Sequence, residues 1–339
     1  MKNIHTNQSY NLAGLFTLSI RLVIGWTYFS AFWRRLILEN KLIQDEAGYI
    51  GEKFNHFLPN ALGIKPIIEY LVTNPEALWW SMVSFTIIEA IVGLLIMLGF
   101  FTRLMSFGVF SLAMGILLGS GWIGTTCLDE WQIGVLGIAC GFTLFLSGSG
   151  SYSLDNYFMN KNYGFTKTKW FSWLGSGPLS IPKLKPIVLV GSLLILALTL
   201  FTNQYFHGGV FGKLHNKSVK PKVEISDATI KNNALQFQIY RTEGVDVYGS
   251  FLIGIQLKNE QGEIILDLKG EDLAKFPKKD IANKYVTKVK PGKHSLIIPL
   301  GAKAILNFDL TNYHLQKNIN YTIILTDISG TEWTSKVTN

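Results

Sequence analysis

The chain's 339 residues carry a formal net charge of +8; 48% are hydrophobic, only 16% are charged, and mean hydropathy is +0.25. Soluble domains carry about 25% charged residues, so a wholly soluble fold is excluded and part of the chain belongs in lipid. Much of the lysine lies after residue 210 with no helix-turn-helix, finger or RNA-binding signature, which excludes nucleic acid as a partner. Two cysteines, Cys127 and Cys140, without a CxxC or Cys/His spacing, exclude a disulfide framework and give no metal site.

The first apolar stretch, AGLFTLSIRLVIGWTYFSAFW (13–33), is long enough to cross a bilayer, which takes about 20 residues. The residues before it lack a signal peptide's basic region, short apolar core and cleavage site, so this span is expected to stay as an anchor. Arg21 lies within it. The 34–77 loop that follows is long, and its clusters YIGEKFNHFL and IKPIIEYLV predict short helices on the membrane surface.

The second span, LWWSMVSFTIIEAIVGLLIMLGF (78–100), contains Glu89. An ionisable group at that depth costs about 2.5–3.5 kcal/mol or more, so it is expected to be paired inside the bundle. With antiparallel helices rising 1.5 Å per residue, Arg21 falls about 12 Å and Glu89 about 16 Å from the inner end, within bridging distance. Two readings stay open: a buried ion pair that fixes register, or a polar site that binds a quinone carbonyl and relays protons, with Trp26 beside it.

Spans three (104–122) and four (131–147) carry Gly108, Gly115, Gly119, Gly134, Gly137 and Gly141, which predict close helix packing. Between them runs GWIGTTCLDEWQIG (121–134), placing Cys127 near the outer face just before Asp129 and Glu130. A helix N-terminus favours the reactive thiolate, two carboxylates oppose it, and Arg34 or Arg35 could supply the compensating cation. The alternative is that Asp129 or Glu130 caps the helix and Cys127 is a small packed residue. Cys140, mid-span among glycines, reads as packing. Trp79, Trp80, Trp122 and Trp131 are expected at the outer interface.

Residues 161–185 form a connector, 186–205 a fifth span, and 206–221 a glycine-rich basic linker closed by Pro221. From Lys222 the pattern changes to short, β-branched, partly alternating runs such as ALQFQIYR, SFLIGIQLKN and NYTIILTD, with NEQG (259–262) as a hairpin turn. Seven or eight such strands predict an antiparallel sandwich over 222–339.

Orientation follows the basic residues of the loops. Lys2, Arg103, Lys161, Lys167, Lys169, Lys183 and Lys185 lie on the N-terminal side, against Arg34, Arg35, Lys41, Lys53 and Lys65 on the other. That bias places the N-terminus in the cytoplasm and the sandwich outside it, in a multi-pass cytoplasmic-membrane protein. The six histidines are scattered, none positioned to ligate haem, and no phosphate-binding loop follows a strand.

IEAIVGLLIMLGFFTRLMSFG, around Glu89, resembles the Glu, Gly-Leu-Leu and Thr-Arg pattern of the DoxX/DoxD family, and IRLVIGWTYFSAFWRRL (20–36) matches its first span. The GWIGTTCLDEWQIG loop is similar to DoxD, the large subunit of thiosulfate:quinone oxidoreductase, and the tail resembles its small partner DoxA. The resemblance implies a four-helix DoxD-like bundle (1–160) with a fifth transmembrane helix, fused to a DoxA-like extracytoplasmic β domain. It implies oxidation of thiosulfate to tetrathionate with a membrane quinone as acceptor. The resemblance does not assign residues; our own expectation from the sequence is that Cys127, Asp129 and Glu130 carry the sulfur chemistry, Arg34 or Arg35 binds substrate, and Arg21, Glu89 and Trp26 serve the quinone. A homo-oligomer stays open. So do two other functions: a reductase linking other thiol or sulfur compounds to quinone, and a non-enzymatic scaffold whose sandwich binds an extracytoplasmic partner.

Overall fold

A computed structural model describes residues 10–46, 48–124, 129–179, 181, 184–245, 250–316 and 319–338, with backbone alone at Asp129. In chain order its helices are α1 (Tyr10–Phe16), α2 (Leu18–Phe32), α3 (Glu52–Phe57), α4 (Lys65–Thr73), α5 (Pro75–Leu98) and α6 (Thr102–Ser120). They continue as α7 (Asp129–Ser147), α8 (Leu154–Asn160), α9 (Lys169–Leu174), α10 (Leu184–His207) and, within the β region, α11 (Gly270–Ala274). The chain divides into two compact units: Met1–Ile50, Trp79–Gly121 and Leu128–His215 form the first, and Gly51–Leu78, Trp122–Cys127 and Asn216–Asn339 the second.

The first unit is helical. Among the described residues α5, α6, α7 from Glu130, and α10 are long and apolar enough to cross a membrane. Helices α1 and α2, which meet at a 52° bend and continue through a π-helical turn, Trp33–Leu38, pass the same test as a pair and make a fifth candidate if taken as one span. Val23, Phe107, Leu136 and Leu194 are exposed on these helices, as side chains that face lipid should be. The protein is a multi-pass membrane protein.

Small residues set the helix spacing. A Cβ on Gly93 would lie 2.5 Å from the Phe29 backbone nitrogen, so α2 and α5 touch backbone to backbone. Gly134, Gly137 and Gly141 line the face of α7 against α6, at Leu117, Ala113 and Phe110. Gly108 meets Val92 instead, and Gly115 faces open space, so packing explains most of the glycines but not Gly115.

The second unit is built on antiparallel strands. Among the described residues, β1 (Lys222–Lys231), β2 (Ala234–Glu243), β8 (Lys303–Asp309) and β5 (Ile281–Asn283) form one sheet in the order β1-β2-β8-β5. The other runs β10 (Glu332–Val337), β9 (Tyr321–Asp327), β3 (Ser250–Asn259), β7 (Leu296–Ile298), β6 (Lys290–Pro291), with β4 (Ile264–Lys269) also on β3. Alternation does what a pleat requires: Leu235, Phe237 and Ile239 of β2 are buried while Gln236 is exposed. They join Leu306, Ile255, Ile323 and Leu325 in one core shared by both sheets, a β-sandwich. The NEQG hairpin forms as expected. Gly262 takes φ +84° and donates to the Asn259 carbonyl, while the Asn259 side chain caps Gln261 and Glu263. Strand β10, EWTSKV, was not expected because its residues are mostly polar; it pairs in register along β9.

The 34–77 segment carries short helices. The turn after α3 buries Leu58, and α4 buries Ile68 and Val72, against Tyr285 of the β region, while Ile67 and Tyr70 of α4 stay exposed. Trp122 is likewise buried, donating from Nε1 to the Phe57 carbonyl, whereas Trp80 is exposed. The aromatic cue was shared between two environments.

Candidate functional site

Helix α2 does not end at residue 33. The π turn carries it on through Leu38, with Arg34 exposed and Arg35 half-buried. Arg35 Nη1 lies 2.6 Å from Glu89 Oε2 and 3.0 Å from Thr86 Oγ1, both on α5. The two side chains are only 15% and 6% exposed. The Arg35 guanidinium also stands 6.0 Å from the centre of the Phe85 ring. This makes a charge-paired polar spot within an apolar bundle, with one fixed cation, one carboxylate and one hydroxyl.

Arg21 is not the partner of Glu89. It is buried, and its guanidinium donates from Nη1 to the Ser149 carbonyl (2.7 Å) and from Nη2 to the Tyr152 carbonyl (2.5 Å), both beyond the end of α7. The expectation failed because the span was ended at residue 33, before Arg35. With α2 and the π turn together running Leu18–Leu38, Arg21 sits near the start and Arg35, about 21 Å further along, comes level with Glu89. Arg21 shares the inward face with Gly25 and Tyr28, whereas Trp26 is exposed on the other side of the helix and packs on Phe29. Arg34 is exposed and donates to the Ser30 carbonyl.

Cys127 lies outside the described residues, as does the Asp129 side chain. Glu130 is half-buried in the first turn of α7. The two flanks of that loop are held by the end of α10, in the first unit. His207, buried, contacts the Gly121 carbonyl through Nε2 at 2.9 Å, and Trp131 Nε1 donates to Thr202 Oγ1 at 3.0 Å. His207 was read as a linker residue; the only signal was a histidine closing an apolar run. Cys140 is free and half-buried on α7.

A second buried network is structural. Arg103 donates to the carbonyls of Phe145, Ser172 and Gly177. Asp155 caps the start of α6, accepting from the Phe101 and Thr102 backbone, the Thr102 hydroxyl and the Ser176 hydroxyl. Burial pushes the Asp155 carboxyl up from the ordinary aspartate range, and those donors pull it back. Arg103, counted above as a loop charge, therefore belongs to the fold.

Comparison with known families matches the chain twice, in order. The DoxD family, described as "TQO small subunit DoxD", matches residues 16–183, and the DoxA family, described as "TQO small subunit DoxA", matches residues 206–336. Both descriptions say small subunit, so the expected division into large and small does not stand. These are families of thiosulfate:quinone oxidoreductase, which links a sulfur compound to a quinone. The chain belongs to the DoxD and DoxA families, joined in that order in one polypeptide.

Proposed function

We propose that this protein oxidises thiosulfate to tetrathionate and passes the electrons to a membrane quinone. The observation that carries this reading is the presence of both oxidoreductase families, DoxD then DoxA, in one chain. In our assignment, the Cys127 thiolate and one thiosulfate lose two electrons together to form a Cys–S–thiosulfate disulfide. The quinone takes those electrons with two protons and becomes the quinol. A second thiosulfate then attacks the disulfide, releasing tetrathionate and regenerating the thiolate. This cycle needs one cysteine only, which suits a chain whose other cysteine lies mid-span.

Arg35, Glu89 and Thr86 form the quinone end. Arg35 and Thr86 are donors suited to a quinone carbonyl, and Glu89 is an acid–base group held by the same cation. This moves the quinone role from Arg21 and Trp26 to Arg35 and Thr86; Glu89 keeps it. At the sulfur end, Arg34 remains the substrate-binding cation, with Asp129 and Glu130 two and three positions after Cys127 in the sequence. The loop charges support an inside N-terminus and an external sulfur site, with the same sign of bias after buried Arg35 and Arg103 are set aside.

The test is anaerobic quinone reduction by thiosulfate in vesicles holding the purified protein, run beside Cys127→Ser. Turnover lost in the variant is the expected result. Turnover that persists would move the sulfur chemistry elsewhere, and none in either protein would reject thiosulfate as substrate.

A further inference from the structure

Several spans of the helical unit end together. Helix α5 finishes at Leu98 and α6 begins at Thr102, while α7 finishes at Ser147 and α10 begins at Leu184. Arg103 binds this end, reaching the Phe145 carbonyl in the last turn of α7 and the Ser172 and Gly177 carbonyls of the connector. Gly191 of α10 packs on Phe142 of α7 nearby. The connector between α7 and α10 is therefore no free loop. Its rings pack on the span ends: Phe158 lies 5.6 Å from Phe100, and Trp170 and Phe171 lie 5.8 and 6.0 Å from Phe101, the residue before α6. Helices α8 and α9 thus form a plate fixed at the edge of the apolar spans, where a bilayer has its headgroups.

The surface of that plate carries two kinds of side chain. Tyr152, Tyr163, Trp170 and Trp173 are exposed, and so are Lys161, Lys167, Lys169 and Lys185. Between residues 148 and 185 the sequence has one carboxylate, Asp155, and it is buried and capping α6. The chain before Glu39 has none. An orientation bias asks only for an excess of lysine over the other loops, and it explains neither the missing exposed acids nor the rings beside the lysines. Tryptophan and tyrosine suit a boundary that is apolar on one side and wet on the other, and lysine lays its stem on apolar surface while its ammonium reaches outward. The two together match a surface that is both apolar and negative. A soluble acidic protein would meet the charge but offer nothing to rings at the hydrocarbon edge.

We propose that this plate is a docking surface for anionic phospholipid in the adjoining leaflet. Trp170 and Trp173 enter the boundary between headgroup and acyl chain, and the four lysines hold the negative headgroups. The proposal does not depend on which compound the protein oxidises.

The experiment places the full chain in vesicles of equimolar phosphatidylcholine and phosphatidylglycerol, with acyl-chain bromine on one lipid or the other, and measures quenching of tryptophan fluorescence. The difference between the unmodified protein and Trp173→Phe isolates that ring. The expected result is a local preference of about fivefold for brominated phosphatidylglycerol, the equivalent of about 1 kcal/mol for a lysine at an anionic surface. High salt should weaken it, and it should vanish when Lys161, Lys167, Lys169 and Lys185 are all changed to Gln. Lys213→Gln, beyond the opposite end of α10, should leave it unchanged. Helical circular dichroism, the same in every variant, separates lost lipid binding from lost folding. No quenching of Trp173 by either lipid would place the plate away from the bilayer and overturn the proposal. Equal quenching by the two lipids, or a preference that survives in the four-lysine variant, would overturn it as well.

Discussion

The pairing of Glu89 with Arg35 instead of Arg21 can be tested by energy. In Glu89→Ala the Arg35 guanidinium loses a partner at 2.6 Å and keeps the Thr86 hydroxyl at 3.0 Å and the Phe85 ring at 6.0 Å. Removing one member of a buried pair costs about 3–5 kcal/mol. Since Arg35 retains that hydroxyl and is 15% exposed, we expect about 3 kcal/mol, or roughly two powers of ten in the folding equilibrium. Replacing both groups, Arg35→Met with Glu89→Leu, should recover the loss to within about 1 kcal/mol, because no charge is stranded. Arg21→Met should add to Glu89→Ala with an error of only about 0.5 kcal/mol, since the two share no partner. The assay is denaturant unfolding in mixed lipid–detergent micelles, followed by tryptophan fluorescence, for the whole cycle. A cost below about 1 kcal/mol for Glu89→Ala, or coupling of Glu89 to Arg21 stronger than to Arg35, would refute the reasoning. The stable double variant also serves function: loss of quinone reduction there would mean that the pair does chemistry as well as fixing register.

Asp155→Asn presents an amide N–H₂ to a site lined with donors, so it should cost about 1.5–3 kcal/mol in the same assay; unchanged stability would show that the α6 cap is solvated. Burial first, and then the bond to Glu69, push the Tyr285 phenol above the ordinary tyrosine value. A raised folded value means that its contribution is fully present below about pH 10 and is lost as pH rises through the folded value. Tyrosinate absorbance against pH should therefore lose its latest-titrating component in Tyr285→Phe, and an unaltered curve would contradict the buried placement.

The sequence by itself determined the two-part architecture. Apolar runs about 20 residues long have one stable solution in lipid, and alternating β-branched runs have one on a half-buried pleat, so local pattern was enough. It also determined that Glu89 needs a buried partner, because no span tolerates a free carboxylate at that depth. It did not determine which arginine. Arg21 and Arg35 stand about four helical turns apart, and the choice depends on the helix running past residue 33: a π turn at Trp33–Leu38 extends it, and nothing in the hydrophobic pattern of WRRLIL announces that turn. The docking of α3 and α4 was equally hidden. Their apolar residues would suit a membrane surface or a protein surface, and the partners that the buried ones meet, Tyr285 and Gly301, lie more than 200 positions away. Long-range contacts of this kind depend on where the chain returns to itself, and that is decided by the tertiary structure alone.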